Sequence, residues 1–89
     1  GSVEYMSEGA LKVRLISAEN MLFEGTVQSV VFPGSVFPFE VLKDHAPIIT
    51  TLKGGNIVLK YASGEAERLS IKTGVVRVDS NVITACVEV

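Results

Sequence analysis

Ser35 and His45, with Asp44 beside the histidine, are the residues of this chain whose types could do chemistry together. In a nucleophilic hydrolase an imidazole takes the proton of an attacking hydroxyl, and an acid orients the imidazole. That reading needs both side chains within hydrogen-bond reach in the fold. No Gly-x-Ser-x-Gly elbow presents a serine for attack. The simpler account is that Asp44 closes a turn and His45 bonds the loop backbone. His45 is the only histidine; with scattered acids it falls short of the four ligands a structural metal site takes, so no metal is expected. Pro33-Gly34-Ser35 is not followed by the Lys-Ser/Thr of a phosphate-binding loop, and no cofactor is expected. Cys86 is the single cysteine, which excludes an internal disulfide; it reads as a small buried hydrophobe. Glu65 and Glu67 share a strand face in water. The residues alone point to a binding or structural module, not an enzyme.

The stretch from Val31 to Ile48 must position Ser35 and His45, and it organises the chain. It holds all three prolines and three of the four phenylalanines. Pro33-Gly34 is a turn signal, with glycine accepting positive φ after proline. Pro38 lacks a ladder donor and belongs at a strand start, edge or bulge. Ala46 is biased to extended backbone by Pro47. The stretch predicts turn, short strand, ordered loop and a further strand. A loop this apolar is expected to rest against something. Phe39 is expected in the core; Phe37, two residues earlier on the same strand face, divides evenly between core and exposed loop tip.

Eighty-nine residues make one domain, with enough surface buried on folding for one modest core. The net charge of −2, with signs interspersed, leaves no basic footprint for nucleic acid and no polybasic surface for lipid. No apolar run reaches transmembrane length. Residues 1–10 read as a tag remnant and disordered lead-in, with Gly1-Ser2 resembling a cloning scar and Met6 a plausible native start. Residues 11–89 read as one β domain.

Leu11, Val13 and Leu15 alternate with Lys12 and Arg14, the period of a half-buried strand. Ser17 to Asn20 is a turn, Met21 to Phe23 a short apolar run closed by Glu24-Gly25. Val27 to Phe32 reads as one strand with apolar residues on both faces. Ile48 to Leu52 is β-branched in all but its last residue and disfavours helix. Ile57, Leu59 and Tyr61 mark the next strand, Ser63 to Glu65 a hairpin turn, and Ala66 to Lys72 the return. Thr73-Gly74 is a break or bulge, Val75 to Val78 a strand, and Asp79-Ser80-Asn81 a turn before Val82 to Val87. Arg14, Arg68 and Arg77 read as solvated strand-face charges. No helical period appears, and the turns recur every 8 to 12 residues. The predicted fold is all-β, an antiparallel β-sandwich of about 8–10 short strands.

Several of these segments together resemble the epsilon subunit of F-type ATP synthases, in its N-terminal β-sandwich domain. Leu11 to Ser17, followed by Ala18-Glu19-Asn20-Met21-Leu22-Phe23-Glu24-Gly25, is similar to that family's first two strands. Val30-Val31-Phe32-Pro33-Gly34-Ser35 resembles its next strand and turn. Phe39-Glu40-Val41-Leu42-Lys43-Asp44-His45-Ala46-Pro47-Ile48-Ile49-Thr50 carries its most recognisable segment. Leu52-Lys53-Gly54-Gly55 and the block from Thr73 to Thr84 continue the likeness in order. Two features depart from the pattern. Glycine is usual where Phe37 stands, which points to an exposed aromatic at the loop tip or a different loop path. Family members often continue into a helical hairpin, whereas Val89 ends the last strand; a naturally short form and a shortened piece both fit.

The resemblance implies a non-catalytic subunit of the central stalk, a rotor element coupling the c-subunit ring to the gamma subunit during proton-driven ATP synthesis. It would be peripheral on the cytoplasmic face of the bacterial inner membrane, without direct lipid insertion. Carried onto this chain, the ring-facing residues are Gly34, Ser35, Phe37, Pro38 and His45. The gamma-facing surface is placed at Val27, Val30 and Phe32, and on outer positions of the later strands. The rival readings are a free-standing β-sandwich that binds a protein or other ligand, and the small hydrolase built on Ser35 and His45.

Overall fold

Alternation of apolar and polar residues turns into strands almost throughout the computed structural model, which describes residues 11–89; the reading of residues 1–10 lies outside them. In β1 (Leu11–Ile16) the three residues Leu11, Val13 and Leu15 are buried while Lys12 and Arg14 face water. β2 (Met21–Val27), β3 (Ser29–Phe32), β4 (Phe39–Val41), β5 (Ile48–Leu52), β6 (Gly55–Lys60), β7 (Ala66–Ile71), β8 (Thr73–Asp79) and β9 (Val82–Glu88) follow. The predicted all-β sandwich is the fold observed. One sheet has five strands in the order β2-β1-β9-β8-β5, the other four in the order β4-β3-β6-β7. Pairing is antiparallel except between β1 and β9, which run parallel with Lys12 beside Val82 and Ile16 beside Cys86.

The core fills the space between the sheets. Leu11, Leu15, Val76 and Ile83 from the large sheet meet Val30, Phe32, Ile57 and Leu59 from the small one. Burying each such apolar side chain stabilises the fold by about 1.5–3 kcal/mol.

The chain crosses between the sheets four times, twice at a single-residue corner. Gln28 separates β2 of the large sheet from β3 of the small one, and its N–H bonds Lys60 O at 2.8 Å. Lys72 separates β7 from β8 in the same way, its N–H bonding Glu88 O at 2.6 Å. The expected single strand from Val27 to Phe32 is therefore two strands in different sheets. A corner shifts the phase of alternation by one, so Val27 points inward from β2 while Val30 and Phe32 point inward from β3; Ser29, opposite Lys60, is buried on the other face of β3. The expected break at Thr73-Gly74 is the second corner, one residue earlier.

Two tight turns follow the chemistry of their residues. Ser80 and Asn81 both take positive φ, 51° and 65°, in the two-residue link of the β8–β9 hairpin. That is the turn whose twist matches the strands it joins. Gly64 has φ of 96° in the β6–β7 link, where Tyr61 N–H bonds Glu65 O and Gly64 N–H bonds Tyr61 O.

Cys86 is exposed, contrary to the buried hydrophobe expected. Ile83, Ala85 and Val87 set the inward phase of β9, and Cys86 falls between them.

Candidate functional site

Phe32 ends β3 in the core, and the chain turns at once. Gly34 N–H bonds Phe32 O at 3.0 Å across Pro33, closing a three-residue turn. Residues 33–35 then lie along the edge of β5, with Lys53 N–H on Pro33 O at 2.9 Å and Ser35 N–H on Thr51 O at 3.2 Å. Ser35 Oγ and Thr51 Oγ1 add a side-chain rung at 2.8 Å. Gly34 does not carry the positive φ expected of it. It is required because the loop folds tightly over it: a Cβ there would stand 2.4 Å from Phe37 O and 2.9 Å from the Phe39 ring.

Beyond Ser35 the loop leaves the strand. Val36 and Phe37 are 87% and 65% exposed, so Phe37 is an exposed aromatic at the bend. Pro38 is exposed and immediately precedes β4, a position where its missing donor costs nothing. Phe39 is half-buried against Phe32, with ring centroids 5.6 Å apart. Phe37 and Phe39 therefore do not share one strand face; only Phe39 belongs to β4.

The loop from Leu42 to Pro47 closes the other side. His45 N–H bonds Leu42 O at 3.1 Å, and His45 Nδ1 lies 2.7 Å from Ala46 O. Asp44 takes φ of 64°. The loop is tied to the β8–β9 turn through Asn81. Gly34, Ser35, Val36, Phe37, Phe39, His45, Ile48 and Thr50 line one open, mainly apolar depression of about 300 Å³. Four of the five residues expected at one contact are thus brought together, with Pro38 on the flanking chain. Gly34 is buried and forms the floor.

The hydrolase reading finds Ser35 and His45 on one depression but committed elsewhere, the hydroxyl to Thr51 and the imidazole to a backbone carbonyl. Among the described residues no group of three His, Cys, Asp or Glu is arranged to hold a metal ion.

The second expected contact, at Val27, Val30 and Phe32, requires correction. These side chains are 3%, 0% and 0% exposed. They lie in the core because the corner at Gln28 turns both strands inward, and they offer a partner no surface. An apolar row exists elsewhere. Cross-strand register aligns Thr51, Val75, Cys86, Ile16 and Met21 across all five strands of the large sheet, on its outer face. Val75 and Met21 are each 46% exposed. The adjacent row is mixed, running Ile49, Arg77, Thr84, Arg14, Glu24, with an Arg14–Glu24 ion pair at 3.4 Å. The outer face of the small sheet carries Glu40 and Lys60, paired at 3.2 Å, and Arg68. Sequence alternation alone could have found the Val75–Cys86 row once the inward phase of β8 and β9 was assigned.

Away from these surfaces, Tyr61 donates a hydrogen bond to Glu67 Oε1. This bond, desolvation and the negative charges of Glu67 and Glu65 push its hydroxyl up to about 12.

A family profile described as "ATP synthase, Delta/Epsilon chain, beta-sandwich domain" matches residues 10–89. An ATP synthase epsilon chain from Nitratiruptor sp. is 40% identical over 78 residues, covering 88% of this chain and 60% of the relative. One from Leptospira interrogans is 40% identical over 80 residues, covering 89% and 61%. This chain therefore spans about 60% of the length of these relatives. Among solved structures, a chain of the Euglena gracilis mitochondrial ATP synthase superposes with a TM-score of 0.84 at 16% identity, covering 89% of this chain and 51% of that one. A chain of the Tetrahymena thermophila mitochondrial ATP synthase central stalk and c-ring superposes at 0.73 and 10% identity, covering 89% and 63%. At these identities the superpositions speak for the fold.

Proposed function

The chain belongs to the ATP synthase delta/epsilon family through its β-sandwich domain, and on that premise we propose that it is a non-catalytic rotor subunit of an F-type ATP synthase, coupling the c-subunit ring to the gamma subunit during proton-driven ATP synthesis. The observation that carries this reading is the pair of apolar surfaces left open on a domain with a closed core. One is the loop tip of Val36 and Phe37 with its depression. The other is the outer row through Val75, Cys86 and Met21. A subunit held on two sides needs two such surfaces, each of roughly 800 Å² for a standard interface.

Ser35, Phe37, Pro38 and His45 face the ring loops, with Gly34 beneath them. The outer face of the large sheet faces gamma. The proton path and the catalytic nucleotide sites belong to other subunits. The chain is peripheral to the cytoplasmic face of a bacterial inner membrane and reaches it through the complex, without inserting into lipid.

Co-elution with a cognate gamma subunit on size exclusion tests the reading. A stable one-to-one complex, weakened by Val75→Glu, is expected. Clean separation at micromolar concentrations would count against it.

A further inference from the structure

The segment 33–35 pairs with only the second half of β5. Thr51 O and Lys53 N take their partners from Ser35 and Pro33, on the edge turned away from β8. In an antiparallel strand the N–H and C=O of one residue point to the same side, and the side alternates along the chain. Ile49 therefore presents its N–H and C=O to that same outer edge. At Val36 the neighbouring chain has departed, and among the described residues no hydrogen bond reaches Ile49 from that side. An exposed pair of main-chain groups on a sheet edge is a template for another strand.

The depression lies where a pairing strand would put its side chains. Ile48 and Thr50 flank Ile49 and line it. A residue opposite Ile49 would point outward, and its two neighbours inward, into the apolar space between Phe37, Phe39 and His45. A cavity of about 150 Å³ can hold a benzene ring, so the volume of about 300 Å³ here accommodates a branched aliphatic side chain. No Asp, Glu, Lys or Arg lines it, so the side chain it favours is uncharged.

We propose that the loop 34–39 and the free edge of β5 together form a strand-addition site for a short extended segment of a partner polypeptide, bonded to Ile49 through its main chain and seated in the depression by an aliphatic side chain. The inference rests on the reading of this end as the ring contact and deepens it: the contact is made by backbone pairing plus an apolar anchor. Strand addition takes affinity from main-chain hydrogen bonds and specificity from alternate side-chain pockets.

Titration of the ¹⁵N-labelled chain with acetyl-Leu-Thr-Leu-N-methylamide is the test. The expected result is saturable shifts of the Ile49, Phe37 and His45 amides, with acetyl-Ser-Thr-Ser-N-methylamide at least tenfold weaker. Ile49→Pro removes the outward N–H without taking a donor from the β5–β8 ladder, and should weaken binding tenfold; Ile49→Thr keeps the N–H and should stay within twofold. Methylating the central threonine nitrogen of the peptide removes the reciprocal bond, from the peptide N–H to Ile49 O, without altering the protein, should Ile49→Pro fail to fold. Equal binding of the leucine and serine peptides, or no loss on peptide methylation, overturns the proposal. A purified c-ring assayed with the same variants separates the two readings. Ring binding without peptide binding overturns strand addition alone; peptide binding without ring binding supports the site and removes the ring as its partner.

Discussion

Asp44 and Asn81 hold each other by two hydrogen bonds: Asp44 N–H donates to Asn81 Oδ1 at 2.6 Å, and Asn81 Nδ2 donates to Asp44 Oδ1 at 3.2 Å. Both residues have positive φ, a conformation Asn and Asp tolerate better than other residues with a Cβ. The pair fastens the His45 loop to the β8–β9 turn. Asn81→Ala loses both bonds and strains the turn, and should destabilise the chain by about 1–3 kcal/mol. Asn81→Gly loses the bonds but relieves the strain and should cost less. Urea denaturation midpoints of the two variants decide the order.

Phe37 and Phe39 should separate stability from binding. Phe37 is exposed, and Phe37→Glu should change stability by no more than about 0.5 kcal/mol while weakening ring association at least tenfold. Phe39→Ala removes the packing on Phe32 and should cost about 2–3 kcal/mol, below the range for a fully buried phenylalanine. Thermal unfolding beside a ring-binding assay distinguishes them. Collapse of Phe37→Glu would place that ring in the core.

Gly34→Ala introduces a methyl 2.4 Å from the Phe37 carbonyl. Backbone must move to admit it, at a cost of about 1–3 kcal/mol. The amide resonances of residues 34–39 should shift while those of the β6–β7 hairpin stay in place. A spectrum unchanged at Phe37 would mean that the loop already has room.

Tyr61 should make stability depend on alkaline pH. Its hydroxyl, raised to about 12 by Glu67, burial and Glu65, is held in the neutral form by the fold, while an unfolded tyrosine ionises near 10. The fold thus binds the proton more tightly than the unfolded chain does. This contribution is complete below pH 10 and is lost as pH rises towards 12. Tyr61→Phe should remove that part of the slope, and Glu67→Gln should bring the tyrosinate absorbance of Tyr61 to lower pH.

Cys86 is an exposed thiol in the middle of the outer row. A maleimide should label it readily in the isolated chain. Bound to gamma, labelling should slow at least tenfold. Equal rates in both states would move the gamma contact off this face.

Much of the fold was legible because period-two alternation is read directly from residues such as Leu11, Val13 and Leu15. The β8–β9 turn was legible because Asn81 suits positive φ. The corner at Gln28 was not: a change of sheet looks in sequence like an uninterrupted strand with one phase slip. Apolar residues stand at both parities, Val27 and Val31 at one and Val30 and Phe32 at the other, so the composition does not mark where the inward face changes. That slip is what misplaced Val27, Val30 and Phe32 on a surface. Of the residues lining the depression, Gly34, Ser35, Phe37 and His45 were singled out in sequence through the family resemblance of their segments. The free edge at Ile49 was invisible, because it depends on where residues 33–35 stop pairing, a long-range relation that alternation does not encode.

The parallel pairing of β1 with β9 puts the first and last described strands side by side in the middle of the large sheet. Hairpins such as β6–β7 and β8–β9 can form early from neighbouring residues. The junction of Lys12 with Val82 has to wait for nearly the whole chain to be gathered, and the entropy of closing that loop comes due before its contacts form. Non-local closure of this kind places folding among the slower small domains, on the order of milliseconds to seconds. A chain still emerging from a ribosome would carry β1 and β2 as an unfinished edge until β9 arrives to complete the sheet.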